Sequence, residues 1–144
     1  MSATGSIPPP PPVWLFDAFE PGRVIGHHED RIDTAAAAAW QAIYGGALPG
    51  AEGRPLPSGL ATVLVMRAYL AVVSPRPPGN IHRLLTVRRL APLRLDEALR
   101  TTVRCVGRSR QGDRRVLRFQ ADCQSLEPGA PMLVSGELEL LWAA

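Results

Sequence analysis

The side chains that could transfer protons are few, and they stand apart in the sequence. Glu52 lies in a loop rich in glycine and proline, and His82 begins a predicted strand. His27 and His28 are neighbours on another predicted strand, so they point to opposite faces and at most one can reach a given site. General acid–base catalysis is the chemistry that these residue types support, which makes Glu52 and His82 the candidate catalytic residues.

All 16 basic residues are arginine, and the formal net charge is +3. The absence of lysine from the sequence excludes a Schiff base or a lysine nucleophile. Guanidinium groups bind phosphate in a bidentate fork, so Arg88 and Arg89 are candidate anion-binding residues, although arginine-rich codon usage explains the same composition. A nucleic-acid partner is not expected, because aromatic residues make up only 6% and the basic residues are scattered among acids.

Composition also limits the cofactors and the compartment. Cys105 and Cys123 fall at apolar-facing positions of predicted strands, where cysteine behaves as a small hydrophobic residue. No spacing of cysteine and histidine suits a metal site, and no metal or cofactor is expected. No apolar run is long enough to cross a bilayer, and no signal peptide is visible. The sequence therefore predicts a cytoplasmic protein without a membrane partner.

The order of predicted elements follows from turn residues and hydrophobic periodicity. Residues 1–15 contain the prolines Pro8 to Pro12 and predict a flexible tail, and residues 16–144 predict a single domain. A first strand at 24–32 precedes a short alanine-rich helix capped by Asp33 or Thr34. A loop at 45–57 leads to Ser58, the predicted cap of a long helix that ends before Ser74-Pro75.

The rest of the chain predicts four strands, at 81–90, 99–107, 115–124 and 134–142, with apolar side chains on one face. The long helix is apolar around nearly its whole circumference, which is typical of a buried helix. Arg67 is its only charged residue and needs a partner, either an intersubunit ion pair or an acidic ligand group. We therefore predict an α+β fold in which a curved antiparallel sheet wraps around one long apolar helix.

Several segments in the same order resemble one known family. They are Phe16–Gly22, Asp33-Thr34 with the alanine run, the loop Tyr44–Ala51, Ser58-Gly59-Leu60, and Ala91–Asp96. Together they resemble the MaoC-like (R)-specific hydratases and dehydratases, which have the hot-dog fold and act on acyl thioesters. In that family the loop reads Asp-x-Asn-Pro-x-His. Placing Pro49 on the motif proline puts Gly46 in the position of the acid and Ala51 in that of the histidine.

The resemblance implies a thioester site without the usual proton carriers. In the family the aspartate and histidine activate a water that adds to the α,β double bond, and amides at the start of the long helix polarise the thioester carbonyl. Gly46 and Ala51 cannot transfer protons. The residues expected to bind substrate are Tyr44, Ser58, Gly59, Leu60, Arg88 and Arg89.

Three hypotheses are compatible with this sequence. The chain is a hydratase/dehydratase with a rearranged proton carrier, or a non-catalytic hot-dog subunit that pairs with an active chain, or a thioesterase that uses the same carbonyl site with Glu52 or His82. The expected partners are an acyl-CoA or acyl-carrier thioester and a second hot-dog chain. Because the sheet leaves an open edge, a homodimer or a heterodimer is expected.

Overall fold

Alternating apolar and polar residues produce a five-stranded antiparallel sheet in the computed structural model, which describes residues 9–144. Residues 1–8, which contain the start of the predicted tail, lie outside the described part. The elements are β1 (Val24–Asp30), α1 (Thr34–Tyr44), α2 (Gly59–Val72), β2 (Ile81–Arg89), β3 (Leu99–Gln111), β4 (Arg114–Ser125) and β5 (Met132–Trp142), with 3₁₀ turns at Phe16–Ala18 and Ala51–Gly53. Each predicted helix and strand is present.

The strands lie in the order β1-β3-β4-β5-β2, and every neighbouring pair is antiparallel. The predicted alternation of apolar and polar residues is confirmed, with the apolar side chains on the sheet face that packs against α2. The inward side chains that are at most 3% exposed there include Leu117, Phe119, Ala121, Cys123, Leu138, Leu140 and Trp142. Cys105 is buried as well, so both cysteines are buried thiols, as expected. The edges of the sheet are β1 and β2.

Helix α2 contacts all five strands and forms the centre of the core. Two glycines allow it to lie close to the sheet. A Cβ on Gly136 of β5 would stand 2.8 Å from a methyl group of Val65, and a Cβ on Gly26 of β1 would stand 3.1 Å from Val72. Because packing between elements is as dense as in organic crystals, these two positions fix how deeply the helix sits.

The structure corrects the prediction of one apolar helix buried on all sides. The described residues contain a second, shorter α-helix, α1, beside α2, and α2 has an exposed face on which Arg67 lies and Leu70 is 44% exposed. Arg67 pairs with Asp30 of β1 at 3.4 Å, so it has an ion-pair partner within the chain. The apolar residues of α2 were identified correctly, but those on one side of the helix are exposed.

The chain before β1 also packs on the domain. Trp14 stacks on Phe19 with ring centroids 5.0 Å apart, and its carbonyl accepts a hydrogen bond from Nε1 of Trp142. The packed part of the chain therefore includes Trp14, two residues before the predicted domain boundary at residue 16. Among the described residues, neither helix is long and apolar enough to span a membrane.

Candidate functional site

The loop between α1 and α2 bends through several left-handed residues. Gly45, Gly46, Gly50, Glu52 and Gly53 all have φ between 57° and 79°. Gly46, which the sequence resemblance aligns with the family's acid, has φ 76°, a conformation that favours glycine over residues with a Cβ. The loop therefore holds Gly46 in a conformation that a residue with a proton-transferring side chain would rarely adopt.

Glu52 is the only carboxylate of this loop, and it points into solvent. Its side chain is 80% exposed and pairs with Arg54 at 3.4 Å. Its φ of 57° is uncommon for a residue other than glycine. An exposed carboxylate paired with arginine is a poor proton carrier for a reaction that excludes water, because catalysis depends on a preorganised and desolvated group.

The start of α2 is covered by an aromatic side chain of α1. A Cβ on Gly59 would meet the Trp40 ring at 2.3 Å, so the indole lies directly against the glycine backbone. Tyr44 stacks on Trp40 with centroids 4.3 Å apart and is itself 67% exposed. The absence of a side chain at Gly59, expected to admit a thioester, instead admits the indole of the same chain.

Two of the first amides of α2 donate to carbonyls of the turn that leads into the helix. The Leu60 N–H donates to the carbonyl of Pro57 at 3.1 Å, and the Ala61 N–H donates to that of Ser58 at 3.0 Å. Ser58 is the N-cap residue of α2, as predicted, but it has helical dihedral angles, and its side chain makes no capping hydrogen bond among the described residues. Of the two amides expected to polarise a thioester carbonyl, the one on Leu60 is already occupied.

His82 lies away from the start of α2. Its ring packs edge-on against Tyr69 with centroids 5.2 Å apart. Tyr69 is ten residues beyond Gly59, which corresponds to about 15 Å along the helix axis. Partial burial and, secondly, the neighbouring Arg76 lower the pKa of His82 from its ordinary value. The structure does not bring His82 and Glu52 together around one substrate position.

Arginine side chains surround the segment that precedes α2. Arg89 donates to the carbonyl of Leu56 at 3.4 Å, and Arg94 donates to that of Gly53. Arg54, which lies between Gly53 and Leu56 in the sequence, pairs with Glu52. Arg88 is exposed on the neighbouring position of β2. The arginines thus fasten the loop, and their outward N–H groups give its rim a positive charge.

A shallow apolar groove of about 190 Å³ runs between α1 and α2. It is lined by Ala36, Ala39, Trp40, Ile43, Leu60, Val63 and Arg67. Ile43 is 74% exposed, and α1 carries no charged residue, which is unusual for a helix at a surface. Trp40 belongs to the alanine-rich helix that the sequence predicts, but the position of its ring over Gly59 was not predicted. The available signal was a large ring on an alanine helix, facing a glycine at the start of the next helix.

Comparison with known proteins identifies the fold. No protein-family model and no curated protein matches the chain. Among solved structures, the MaoC-like dehydratase from Rhodospirillum rubrum has a TM-score of 0.72 at 14% identity, covering 91% of this chain and 99% of that chain. The unliganded R-hydratase PhaJ1 from Pseudomonas aeruginosa has a TM-score of 0.68 at 18% identity, covering 88% and 84%.

A third similar structure is a complex. The ChsH1-ChsH2 complex from Mycobacterium tuberculosis gives a TM-score of 0.65 at 12% identity, covering 86% of this chain and 98% of the matched chain. At such identities the likeness concerns the fold. The resemblance found in the sequence is thereby confirmed at that level: this chain has the hot-dog fold of the MaoC-like dehydratases and (R)-hydratases.

Proposed function

We propose that this chain is a non-catalytic hot-dog subunit of a MaoC-like acyl-thioester hydratase/dehydratase, and that it pairs with a second hot-dog chain that supplies the proton carriers. The observation that carries this proposal is the contact of Trp40 with Gly59 at the start of α2. A subunit that no longer binds the thioester carbonyl at this point is free to fill the space with its own indole.

The position of the titratable groups supports the same function. Hydration needs a base and an acid near one carbon–carbon double bond, and each contributes about 10²–10⁴-fold. Gly46 and Ala51 supply neither, Glu52 points into solvent, and His82 packs on Tyr69 at a distance from Gly59. An active hydratase or a thioesterase built from this chain alone would need Glu52 or His82 as its proton carrier. This is why we favour the paired subunit.

The open edge of the sheet supports pairing. Strand β2 is a sheet edge, and its residues Ile81 and Leu84 are each 57% exposed. An edge with free backbone groups and apolar side chains is a template for another strand. A similar fold in a structure whose name contains two components, the ChsH1-ChsH2 complex, is compatible with such an arrangement.

Turnover measurements test the proposal. The purified chain should hydrate crotonyl-CoA no faster than a buffer control. Co-expression with a hot-dog chain that retains the aspartate and histidine should yield a complex that turns over. Within the complex, replacing the partner's aspartate or histidine should lower kcat by at least about 10²-fold.

Substitutions in this chain provide the decisive control. Glu52→Gln and His82→Gln should leave the turnover of the complex within about twofold, since neither side chain is assigned a proton-transfer role. The paired-subunit function would be rejected if the isolated chain hydrated crotonyl-CoA and either substitution lowered that rate by about 10²-fold. Such a result would show that the chain is itself the enzyme.

A further inference from the structure

The hairpin between β3 and β4 carries the excess positive charge of the protein. Residues 108–115 contain four arginines and one acid, Asp113, so this segment has a net charge of +3, which equals the net charge of the whole chain. The rest of the chain is therefore neutral overall. Among residues 9–144, no ion pair involves any of these four arginines.

Three of the four arginines share one face of the hairpin. Arg110 of β3 lies directly opposite Arg115 of β4, and Arg108 lies opposite Leu117. Because side chains alternate along a strand, the three arginines lie on the same face as the buried Leu117. Like charges on facing strand positions are destabilising. The pair of Arg110 and Arg115 therefore lowers the stability of the hairpin unless a negative charge lies between the two side chains.

Two of these guanidinium groups are held by backbone carbonyls, which orient them without neutralising their charge. Nη1 of Arg108 donates to the carbonyls of Asp17 and Phe19 at 3.1 and 2.9 Å. Nη1 of Arg115 donates to the carbonyl of Ala143 at 3.1 Å. A guanidinium group has five N–H donors, so most of the donors of both side chains remain available to a ligand.

The ring of Phe16 lies beneath the same cluster. The guanidinium carbons of Arg108 and Arg110 are 5.6 and 5.0 Å from the centre of this ring, within the range of a cation–π contact. Phe16 is 5% exposed, whereas Arg110 is exposed at the surface. The ring therefore supports the guanidinium of Arg110 from a buried position.

The hairpin lies at the opposite end of the sheet from the start of α2. Arg115 pairs with Trp142 at the end of β5, whereas Arg89, which donates to the carbonyl before α2, pairs with Val134. The eight residues from Val134 to Trp142 correspond to about 26 Å along a strand. The arginine cluster is thus remote from the expected thioester carbonyl position, and its role is separate from the proposed subunit function.

We propose that Arg108, Arg110 and Arg115 form a binding site for a phosphate group, carried either by a soluble molecule or by a lipid headgroup. A phosphate monoester has a charge of about −1.5 to −2 at pH 7 and three strong acceptor oxygens. A carboxylate has a single charge and two oxygens, so it matches three guanidinium groups less well. A phosphate between strand positions 110 and 115 replaces their repulsion by two charge-assisted contacts, and each guanidinium can bind it through two parallel N–H···O bonds.

NMR of the arginine side chains in the full chain tests the site directly. The chain is titrated with inorganic phosphate at a constant ionic strength of about 0.01 M, at which screening is weak. The Nε–Hε signals of Arg110 and Arg115 should shift and saturate, whereas that of Arg104, an exposed arginine of β3 outside the hairpin, should not. Phosphate should bind at least about tenfold more tightly than acetate.

Substitutions separate the bidentate geometry from simple charge. Arg110→Gln should weaken phosphate binding at least about tenfold, and Arg110→Lys should restore it only in part, because an ammonium group keeps the charge but not the planar fork. Arg104→Gln removes the same charge from an exposed position of the same strand, and it should leave the affinity within about twofold. Neither position is in the core, so these variants should fold normally.

Vesicles distinguish the two sources of the phosphate. If the unchanged chain sediments with phosphatidylcholine vesicles that contain phosphatidic acid, and Arg110→Gln does not, the site binds a lipid headgroup. Binding of free phosphate without sedimentation on these vesicles also supports the site and assigns it a soluble phosphate.

Two results would overturn the site. One is a phosphate titration that shifts Arg110 and Arg115 no more than Arg104. The other is an Arg110→Gln variant that binds phosphate as tightly as the unchanged chain. Neither measurement involves turnover or a second chain, so the subunit role stands or falls separately by the activity of the complex.

Discussion

Position 136 determines how closely α2 can approach the sheet. A Cβ there would lie 2.8 and 2.9 Å from the two methyl groups of Val65, closer than side-chain contacts normally occur. Val65 is fully buried and has few rotamers as a β-branched residue in a helix, so it cannot turn away. Gly136→Ala should therefore lower the free energy of unfolding by about 1–3 kcal/mol through overpacking, as measured by urea denaturation.

A second glycine provides the control for this prediction. A Cβ on Gly107 of β3 would meet the flexible side chain of Arg118 at 3.4 Å, an ordinary contact. Gly107→Ala should change stability by less than about 0.5 kcal/mol, the usual range for substitutions away from the core. Equal losses in the two variants would mean that the glycine backbone, rather than the methyl groups of Val65, accounts for the cost.

The two helices begin differently, although each follows a residue type that commonly caps helices. The Asp33 side chain accepts a hydrogen bond from the Ala36 N–H at 2.8 Å at the start of α1, whereas Ser58 makes no such bond at the start of α2. Asp33→Ala should cost about 1 kcal/mol, and Ser58→Ala should cost less than about 0.5 kcal/mol. Thermal and urea unfolding of both variants would check the difference, and a larger loss for Ser58→Ala would contradict it.

The elements themselves could be predicted because each has a distinct periodicity. Leu117, Phe119 and Cys123 alternate with polar residues, and a strand places such residues on one face whatever the rest of the fold does. The position of Ser58 before α2 was predicted correctly, but the lack of a capping hydrogen bond from its side chain could not be predicted in the same way. Whether a serine side chain reaches an amide depends on its own backbone angles, and here Ser58 already lies in a helical turn.

At the scale of the whole molecule, the candidate site combines residues that are distant in sequence. The contact between Trp40 and Gly59 joins two helices, and the contact between His82 and Tyr69 depends on how β2 lies along α2. Neither distance is encoded in a local pattern. The absence of the proton carriers is an expectation from the sequence resemblance, whereas the covering of the helix start is visible only in the tertiary packing.

The exposure of α2 was mispredicted for a related reason. An apolar face such as that around Leu70 looks the same in the sequence whether its cover is the same chain or another one. The apolar pattern of α2 thus predicted a fully buried helix, but the rest of the chain covers only part of its apolar surface. The remaining apolar surface, like the β2 edge, is available to the second chain of the proposed function.

The pH range over which the whole domain stays folded can also be predicted. Burial, partly offset by the nearby Arg76, raises the pKa of Tyr69 from 10.0 to about 12. A group whose pKa is higher in the folded state stabilises the fold fully below pH 10, and that stability is lost as the pH rises toward 12. The loss should reach about 2–3 kcal/mol, since each pKa unit corresponds to about 1.4 kcal/mol.

The variant Tyr69→Phe removes this titration and should flatten the decline in stability between pH 10 and 12, as measured by urea unfolding at several pH values. No lysine contributes in this range, because the sequence contains none. The raised pKa values of the buried Cys105 and Cys123 thiols act in the same direction and leave a residual slope. Tyr44→Phe is the matched control, and it should keep the full decline because Tyr44 lies at the surface, stacked on Trp40. A decline of equal size in Tyr69→Phe and the unchanged chain would show that alkaline unfolding begins elsewhere.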